Sequence, residues 1–301
     1  MMKLSLIERA TWRDYYELCK PNVVWLMVVT AIVGMCMATP GLVPVDVVIF
    51  ASMGIALCAA SAAAINHLAD QHIDAVMART SGRPIVKGKI DSQRAAIFAF
   101  ILGSLGMYVL LTRVNTLTAL LTLASLIGYA FVYTFYLKRA TSQNIVIGGL
   151  AGAMPPLLGW TAVTNEISVH GLLLVLIIFV WTPPHFWGLA IARKDEYAKV
   201  DIPMLPVTHG SQYTARQCFL YSLALFAVAL LPVVTGLSSW IYMIGAIVLG
   251  AMFIRHALTL LRTMEDKDAM KLFSFSIMYL LLIFPLMLLD HYLLPIPFMS
   301  S

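Results

Sequence analysis

Long apolar stretches separated by short polar segments repeat along the whole chain. Each stretch has roughly the 20 residues that an α-helix needs to cross a bilayer. Turn-forming segments such as Thr39-Pro40-Gly41 and Arg113-Val114-Asn115 separate neighbouring stretches. The pattern predicts nine spanning helices, at 22–38, 46–68, 93–112, 115–137, 144–163, 168–191, 215–237, 239–262 and 272–294.

The composition supports a membrane protein, since 60% of the 301 residues are hydrophobic and only 12% are charged. A typical soluble domain carries about 25% charged residues. No low-complexity segment or interdomain linker interrupts the pattern, so residues 1–301 are predicted to form one all-α membrane domain. Four tryptophans near predicted helix ends are typical of an interfacial aromatic belt. They are Trp160, Trp181, Trp187 and Trp240.

The basic residues are distributed very unevenly between the two sides of the predicted bundle. Of the 20 Lys and Arg residues, 19 fall in the amino-terminal arm or around the loops after predicted spans 2, 4, 6 and 8, and Arg113 is the exception. Such loops face the cytoplasm. The sequence therefore predicts a multi-pass protein of the cell inner membrane, with a cytoplasmic amino terminus and a periplasmic carboxyl terminus. The net charge of +5 is explained by topology, and no nucleic-acid partner is expected.

Three oxygen-bearing side chains, Asn66, Asp70 and Asp74, follow one another at intervals of four residues near the end of the second predicted span. On a helix they lie on one face, about 6 Å apart along the axis. Carboxylate and amide oxygens suit Mg²⁺, which shares its coordination shell with substrate phosphates. Ionisable groups at a membrane helix end indicate a functional site, although a solvated helix end with ordinary caps is the alternative.

A second acidic group, formed by Asp195 and Glu196, follows the sixth predicted span on the same face of the membrane. Whether Asp201 belongs to it stays open. Two acidic groups facing one cavity would hold two metal ions and one diphosphate. Nearby cations would bind the phosphate oxygens, or they could serve topology alone. The cations assigned to the diphosphate are Arg79, Arg83, Lys87, Arg139 and Lys194, with Lys138 as a catalytic residue beside Asn66, Asp70 and Asp74.

The first motif, Asn66-x-x-x-Asp70-x-x-x-Asp74, resembles the first aspartate-rich motif of the intramembrane UbiA-type prenyltransferases. Over residues 18–210 the chain is similar to the haem-prenylating branch of that superfamily. Gln71 is a departure, because the family usually has Arg there, so another cation must supply that charge. The stretches that carry the similarity are Lys20-Pro21, Met77-Ala78-Arg79-Thr80-x-x-Arg83-Pro84, Tyr133-Thr134-x-x-Leu137-Lys138-Arg139-x-Thr141-x-x-Asn144-Ile145-Val146-Ile147-Gly148-Gly149, Ala151-Gly152-Ala153-x-Pro155-Pro156, Trp181-Thr182-Pro183-Pro184-His185-Phe186-Trp187 and Ile202-Pro203-Met204-Leu205-Pro206.

The resemblance implies nine transmembrane helices around a central cavity open to the cytoplasm. It implies Mg²⁺ as cofactor, farnesyl diphosphate as donor and protohaem IX (haem B) as acceptor. Farnesyl transfer to a vinyl group with addition of water would give haem O for haem-copper oxidases, so a downstream haem-processing or oxidase-assembly protein is an expected partner. His185, Phe186 and Trp187 are expected to contact haem. Alternatively, His185 makes only a structural hydrogen bond.

Two other functions compete with this interpretation. A related enzyme that prenylates a quinone precursor would keep the aspartates but should lack the Thr182–Trp187 and Pro203–Pro206 stretches, which are present. A transporter would show broken helices and binding groups near the membrane midplane. The acidic residues lie instead at the predicted cytoplasmic helix ends, which disfavours a transporter.

Overall fold

The computed structural model describes residues 10–78 and 80–294, and these residues form helices joined by turns. A π-helix, Gly128–Leu137, lies between α5 and α6. The helices are α1 (Trp12–Leu18), α2 (Pro21–Met37), α3 (Val45–Val76), α4 (Ser92–Arg113), α5 (Thr116–Ile127), α6 (Lys138–Ala140), α7 (Asn144–Ala153), α8 (Pro155–Thr164), α9 (Val169–Ala192), α10 (Lys194–Ala198), α11 (Leu205–Thr208), α12 (Ser211–Val234), α13 (Trp240–Thr263) and α14 (Asp266–Leu293).

The described helices confirm the predicted all-α, polytopic architecture. In the described residues, eight helical segments are long and apolar enough to cross a membrane, and α1 with α2 forms a ninth if the pair, bent by 55°, is one broken span. The chain is a multi-pass integral membrane protein. Most predicted boundaries agree with the observed ones to within a few residues. The largest difference is in α3, which continues to Val76 and so carries Asp70 and Asp74 inside the helix.

Two spans contain irregularities that hydropathy does not predict. The fifth predicted span is divided into α7 and α8 at Met154, directly before Pro155 and Pro156. Proline removes a backbone donor and collides with the preceding turn, which explains the break. In the fourth span the π-helix accommodates Thr134, whose hydroxyl donates to the Tyr129 carbonyl five residues earlier, at 2.8 Å. Short π-helical segments inside α-helices occur frequently at functional sites.

Glycines bring α2 and α8 into backbone contact. A Cβ added to Gly34 would overlap the Pro156 carbonyl oxygen, and one added to Gly159 would overlap the Ala31 carbonyl oxygen. Small residues allow this close approach, which supports association of helices in a membrane where the hydrophobic effect cannot drive it. The pair therefore fixes the position of α2, which also packs against α3.

A fully buried carboxylate joins α14 to the start of α13. Asp290 accepts hydrogen bonds from the Ser239 backbone N–H at 2.6 Å, the Ser239 hydroxyl at 2.7 Å and the Tyr242 backbone N–H at 3.1 Å. The first backbone N–H groups of a helix lack partners within the helix, and the helix dipole favours a negative charge there. Asp290 thus caps a neighbouring helix rather than its own.

The prediction of an interfacial belt is wrong for three of the four tryptophans. Trp160, Trp181 and Trp187 are 5%, 6% and 1% exposed, whereas Trp240 is 57% exposed. Position near a helix end does not determine which face of the helix a side chain occupies. Trp181, for example, donates its indole N–H to the Ser276 carbonyl on α14 at 2.8 Å.

Candidate active site

The first acidic motif lies on the buried face of α3. Asn66, Asp70 and Asp74 are all buried, although two of them are carboxylic acids. The Asn66 amide donates to Asp70 Oδ2 at 3.0 Å, so these two side chains share a face as the spacing predicts. Burial of a carboxylate is unfavourable unless a positive charge or hydrogen-bond donors accompany it. The surrounding residues must therefore supply cations.

Three cations from different parts of the chain meet the motif, one at each member. Lys138 Nζ lies 2.7 Å from Asp70 Oδ2, and Arg83 forms an ion pair with Asp74. Lys20 donates to Asn66 Oδ1 at 2.5 Å. Two carboxylates thus face three cations, and this surplus of positive charge suits an anionic ligand better than a bare metal ion.

Lys20 is the site residue that the sequence analysis did not identify. It lies at the bend between α1 and α2 and has left-handed backbone angles, φ 49° and ψ 61°. Such a conformation is uncommon outside glycine and often occurs where function requires a particular side-chain position. A lysine directly before the Pro21 that begins α2 is the available signal, but its charge is equally explained by topology.

Neighbouring hydrogen bonds hold the motif and its cations in place. The Asn66 amide also donates to the Thr134 hydroxyl of the π-helix at 3.2 Å. The Asn144 amide donates to the Lys138 carbonyl at 3.2 Å, which ties the start of α7 to the cation that faces Asp70. The Thr80 hydroxyl donates to the Asp74 carbonyl at 3.1 Å and anchors the loop that carries Arg83.

Three of the predicted diphosphate ligands lie outside this cluster. Lys87, Arg139 and Lys194 have exposed side chains, and Arg79 lies outside the described residues. Gln71, where relatives usually have Arg, is hydrogen-bonded to the Ser92 hydroxyl on α4 at 3.3 Å. Among residues 10–78 and 80–294, the positive charge at the motif is supplied by Lys20, Arg83 and Lys138, two of which were assigned to the site from sequence.

The second acidic group borders a separate cleft of about 310 Å³. Glu196 Oε1 accepts from Arg193 at 2.8 Å, while the buried Oε2 has no hydrogen-bond partner within the described chain. Asp195 is exposed, and Asp201 is an exposed residue with φ 51°. The cleft is lined by Ile191, Ala192, Arg193, Lys194, Asp195, Glu196, Ser211 and Asp266.

The donor atoms on α3 fit Mg²⁺ only with additional ligands. Among residues 10–78 and 80–294, no three His, Cys, Asp or Glu side chains are grouped closely enough to bind a metal. Asn66, Asp70 and Asp74 provide one amide and two carboxylates, the oxygen ligands that Mg²⁺ accepts alongside water and phosphate. The set is therefore suited to a metal that arrives with a diphosphate.

His185 lies on α9 in an aromatic stack, one turn beyond Trp181. Its ring is stacked 4.2 Å from the Trp181 ring and 4.8 Å from the Phe273 ring, and its Nδ1 lies 2.6 Å from the Ser276 hydroxyl. Phe186 is half-buried. Trp187 packs edge-on against Tyr221 at 5.4 Å and is almost fully buried, which makes it the least accessible of the three residues predicted to contact haem.

An all-helical membrane bundle with a buried Asn-Asp-Asp motif and three facing cations defines a class of intramembrane transferases. Residues 27–283 match the model of the UbiA prenyltransferase family. The chain belongs to this family and is a membrane-embedded prenyltransferase.

Two relatives that align with nearly the whole chain have the same name. The protoheme IX farnesyltransferase of Saccharophagus degradans is 60% identical over 286 residues, which cover 95% of this chain and 94% of the relative. The protein of that name from Hahella chejuensis is 59% identical over 289 residues, covering 96% and 97%.

Solved structures share the fold at low sequence identity. A digeranylgeranylglyceryl phosphate synthase structure superposes with a TM-score of 0.79 at 18% identity, covering 94% of this chain and 99% of that one. A UbiA homologue from Archaeoglobus fulgidus, solved with GPP and Mg²⁺, gives a TM-score of 0.63 at 16% identity, covering 91% and 99%. These likenesses confirm the fold.

Proposed function

We propose that this protein transfers the farnesyl group of farnesyl diphosphate to a vinyl group of haem B. In the balanced reaction the farnesyl C1–O bond breaks and C1 bonds to the terminal vinyl carbon. A water oxygen adds to the other vinyl carbon, one proton is released, and the products are haem O and diphosphate. Relatives named protoheme IX farnesyltransferase, about 60% identical over nearly the whole chain, support haem as the acceptor and a farnesyl group as the group transferred.

The buried cluster of Asn66, Asp70 and Asp74 with its three cations is the observation that carries the proposed chemistry. Asn66, Asp70 and Asp74 would hold Mg²⁺, as would Asp195 and Glu196 at the second group. When bound, Mg²⁺ neutralises the diphosphate and makes it a better leaving group. The A. fulgidus homologue solved with GPP and Mg²⁺ is consistent with this arrangement.

The three cations of the cluster would take over the negative charge that develops on the departing diphosphate. Lys20, Arg83 and Lys138 each contact a member of the motif already, so a small side-chain rotation could direct them to phosphate oxygens. Preorganised donors of this kind contribute strongly to catalysis because they need little rearrangement during the reaction. Arg79, Lys87, Arg139 and Lys194 are proposed as outer diphosphate ligands.

The acceptor would lie beside α9, where His185 and Phe186 are half-buried and Trp187 is buried. We place the amino terminus in the cytoplasm, the carboxyl terminus in the periplasm and the protein in the cell inner membrane. Its product would pass to a haem-processing or oxidase-assembly protein.

Mass analysis of haem from membranes with and without the protein tests this proposal. Addition of one farnesyl group and one hydroxyl group to haem, only in membranes that contain the protein, is the expected result. Asp70→Asn protein, inserted at an equal level, is the matched control and should give no product. Unmodified haem together with a prenylated quinone precursor would instead identify the sister reaction.

A further inference from the structure

The hydroxyl of Ser276 determines which nitrogen of His185 carries the proton. Ser276 Oγ lies 2.6 Å from the Phe273 carbonyl oxygen and 2.6 Å from His185 Nδ1. A carbonyl oxygen can only accept, so the single hydroxyl proton of Ser276 must point to Phe273. His185 Nδ1 must then carry a proton and donate it to Ser276 Oγ. The lone pair of the neutral imidazole is left on Nε2.

The Nε2 edge is the open part of this imidazole. Trp181 and Phe273 cover its two faces, with interplanar angles of 16° and 24°. In the described part of the chain, Nε2 has no hydrogen-bond partner. It is also not fully buried. A flat ligand therefore cannot stack on this ring, but an atom in the plane of the ring can approach Nε2.

His185 and Asp70 lie at similar depths on the same side of the bundle. Asp70 is on α3, which ends at Val76, and His185 is on α9, which ends at Ala192. At about 1.5 Å per residue, they lie roughly 9 and 10 Å from those ends. Four crossings separate the two spans, so both ends lie on the same face of the membrane.

The helix α7 connects these two parts of the site. A Cβ on Gly149 would lie 3.0 Å from Thr182 Cγ2 on α9, one turn before His185. At the start of the same helix, Asn144 is bonded to the Lys138 carbonyl. Helix α7 thus contacts both α9, near His185, and the backbone of the cation that faces Asp70.

We infer that His185 Nε2 is the axial ligand to the iron of the acceptor haem, and that Ser276 is the residue that positions it. This inference rests on the proposed function and deepens it, because it specifies how the acceptor is held. Metal-binding histidines almost always donate their second ring N–H to an acceptor that fixes the tautomer and ring orientation. Ser276 fills that role, and the Trp181 and Phe273 rings prevent rotation of the imidazole.

Haem binding to the full-length protein in nanodiscs tests the assignment. Ferrous haem B on the wild type should show an iron–histidine stretch by resonance Raman spectroscopy. His185→Gly should lose this band and bind haem at least tenfold more weakly, and added imidazole should restore the band. Ser276→Ala should keep the band but bind about 10- to 100-fold more weakly. His256→Ala, which also removes a histidine packed against a phenylalanine ring, is the matched control and should match the wild type.

Farnesyl diphosphate binding and thermal melting show whether each variant is folded. A folded His185→Gly protein that keeps the band and the wild-type affinity would overturn the inference. If the wild type also converts haem to the farnesylated product, the proposed function survives that result. If the wild type neither binds nor modifies haem, the proposed function itself fails.

Discussion

Lys138 Nζ and Asp70 Oδ2 lie 2.7 Å apart although their residues are separated by 68 positions in the sequence. The two side chains belong to different spans, and both are largely buried. An ion pair in such surroundings is unfavourable to form without further hydrogen bonds, and removing one partner leaves an uncompensated charge. Asn66 donates such a hydrogen bond to Asp70, and Asn144 holds the backbone of Lys138 through its carbonyl, so both partners of the pair are fixed in place.

Asp70→Asn and Asp74→Asn should each reduce farnesyl transfer by about 100-fold or more, because each change removes a carboxylate that we propose binds the metal–diphosphate. Steady-state rates in nanodiscs measure the effect. The control is Asp46→Asn, a change at an exposed residue at the opposite end of α3, which should leave the rate unchanged. Near-wild-type rates for both site variants would exclude the metal-binding role of the motif.

Removal of Mg²⁺ should stop turnover without unfolding the protein. The ion pairs of Asp70 and Asp74 neutralise the motif in its absence, so the bundle does not need the metal for stability. Excess chelator should abolish product formation while the thermal melting curve changes little, and added Mg²⁺ should restore the rate. Undiminished turnover in excess chelator would contradict the proposal.

Lys20→Met should raise the KM for farnesyl diphosphate by about tenfold, the effect of losing one charge-assisted hydrogen bond. Lys20→Arg should recover only part of this loss, because a planar guanidinium differs in shape from an ammonium group. Kinetics with varied farnesyl diphosphate measure the effect, with Lys199→Met, an exposed lysine, as control. Equal constants for Lys20→Met and the control would remove Lys20 from the site.

Gly34→Ala and Gly159→Ala should each prevent correct packing of α2 against α8, because the new methyl group would overlap a backbone carbonyl. We expect low yields of monodisperse protein and a lower melting temperature for the remainder. Gly152→Ala is the control, since its Cβ would contact nothing within 4 Å. Wild-type melting temperatures for both packing variants would show that the helices can separate at little cost.

Asp290→Asn should lower the free energy of unfolding by about 1–3 kcal/mol, because one carboxylate oxygen that accepts a buried hydrogen bond becomes a donor. The activity per folded molecule should not change, since Asp290 caps α13 far along the sequence from the acidic motif. Thermal melts and rates on the same samples separate the two effects. A selective loss of turnover at unchanged stability would be inconsistent with a capping role.

The sequence predicts the spans well because hydropathy and the distribution of charge act over whole helices. It also predicts the grouping of Asn66 and Asp70, because a helix places residues four positions apart on one face. It does not predict the bend at Lys20, the break at Met154 or the π-helix. These depend on contacts between helices, and no periodic pattern in a uniformly apolar stretch shows which face meets a neighbour.

Because the sequence does not show which helix faces meet, it also fails to predict the environment of several individual side chains. Trp187 and Trp160 are buried because their faces of α9 and α8 meet other helices, although both lie near helix ends. Lys20 is a lysine that flanks a membrane span, and lysines at such positions are also expected where they only set the topology. Only the packing of α2 against its neighbours brings its ammonium group to Asn66.

The π-helix at Gly128–Leu137 has a consequence for how this protein can change over time. A π-helix closes its hydrogen bonds over one more residue than an α-helix, so it sets the angular phase of every side chain that follows. Deleting one residue from this stretch would leave hydropathy, charge and span length almost unchanged, yet would turn Lys138 away from Asp70. A descendant with that deletion would still insert as a membrane bundle, but its site would have lost alignment.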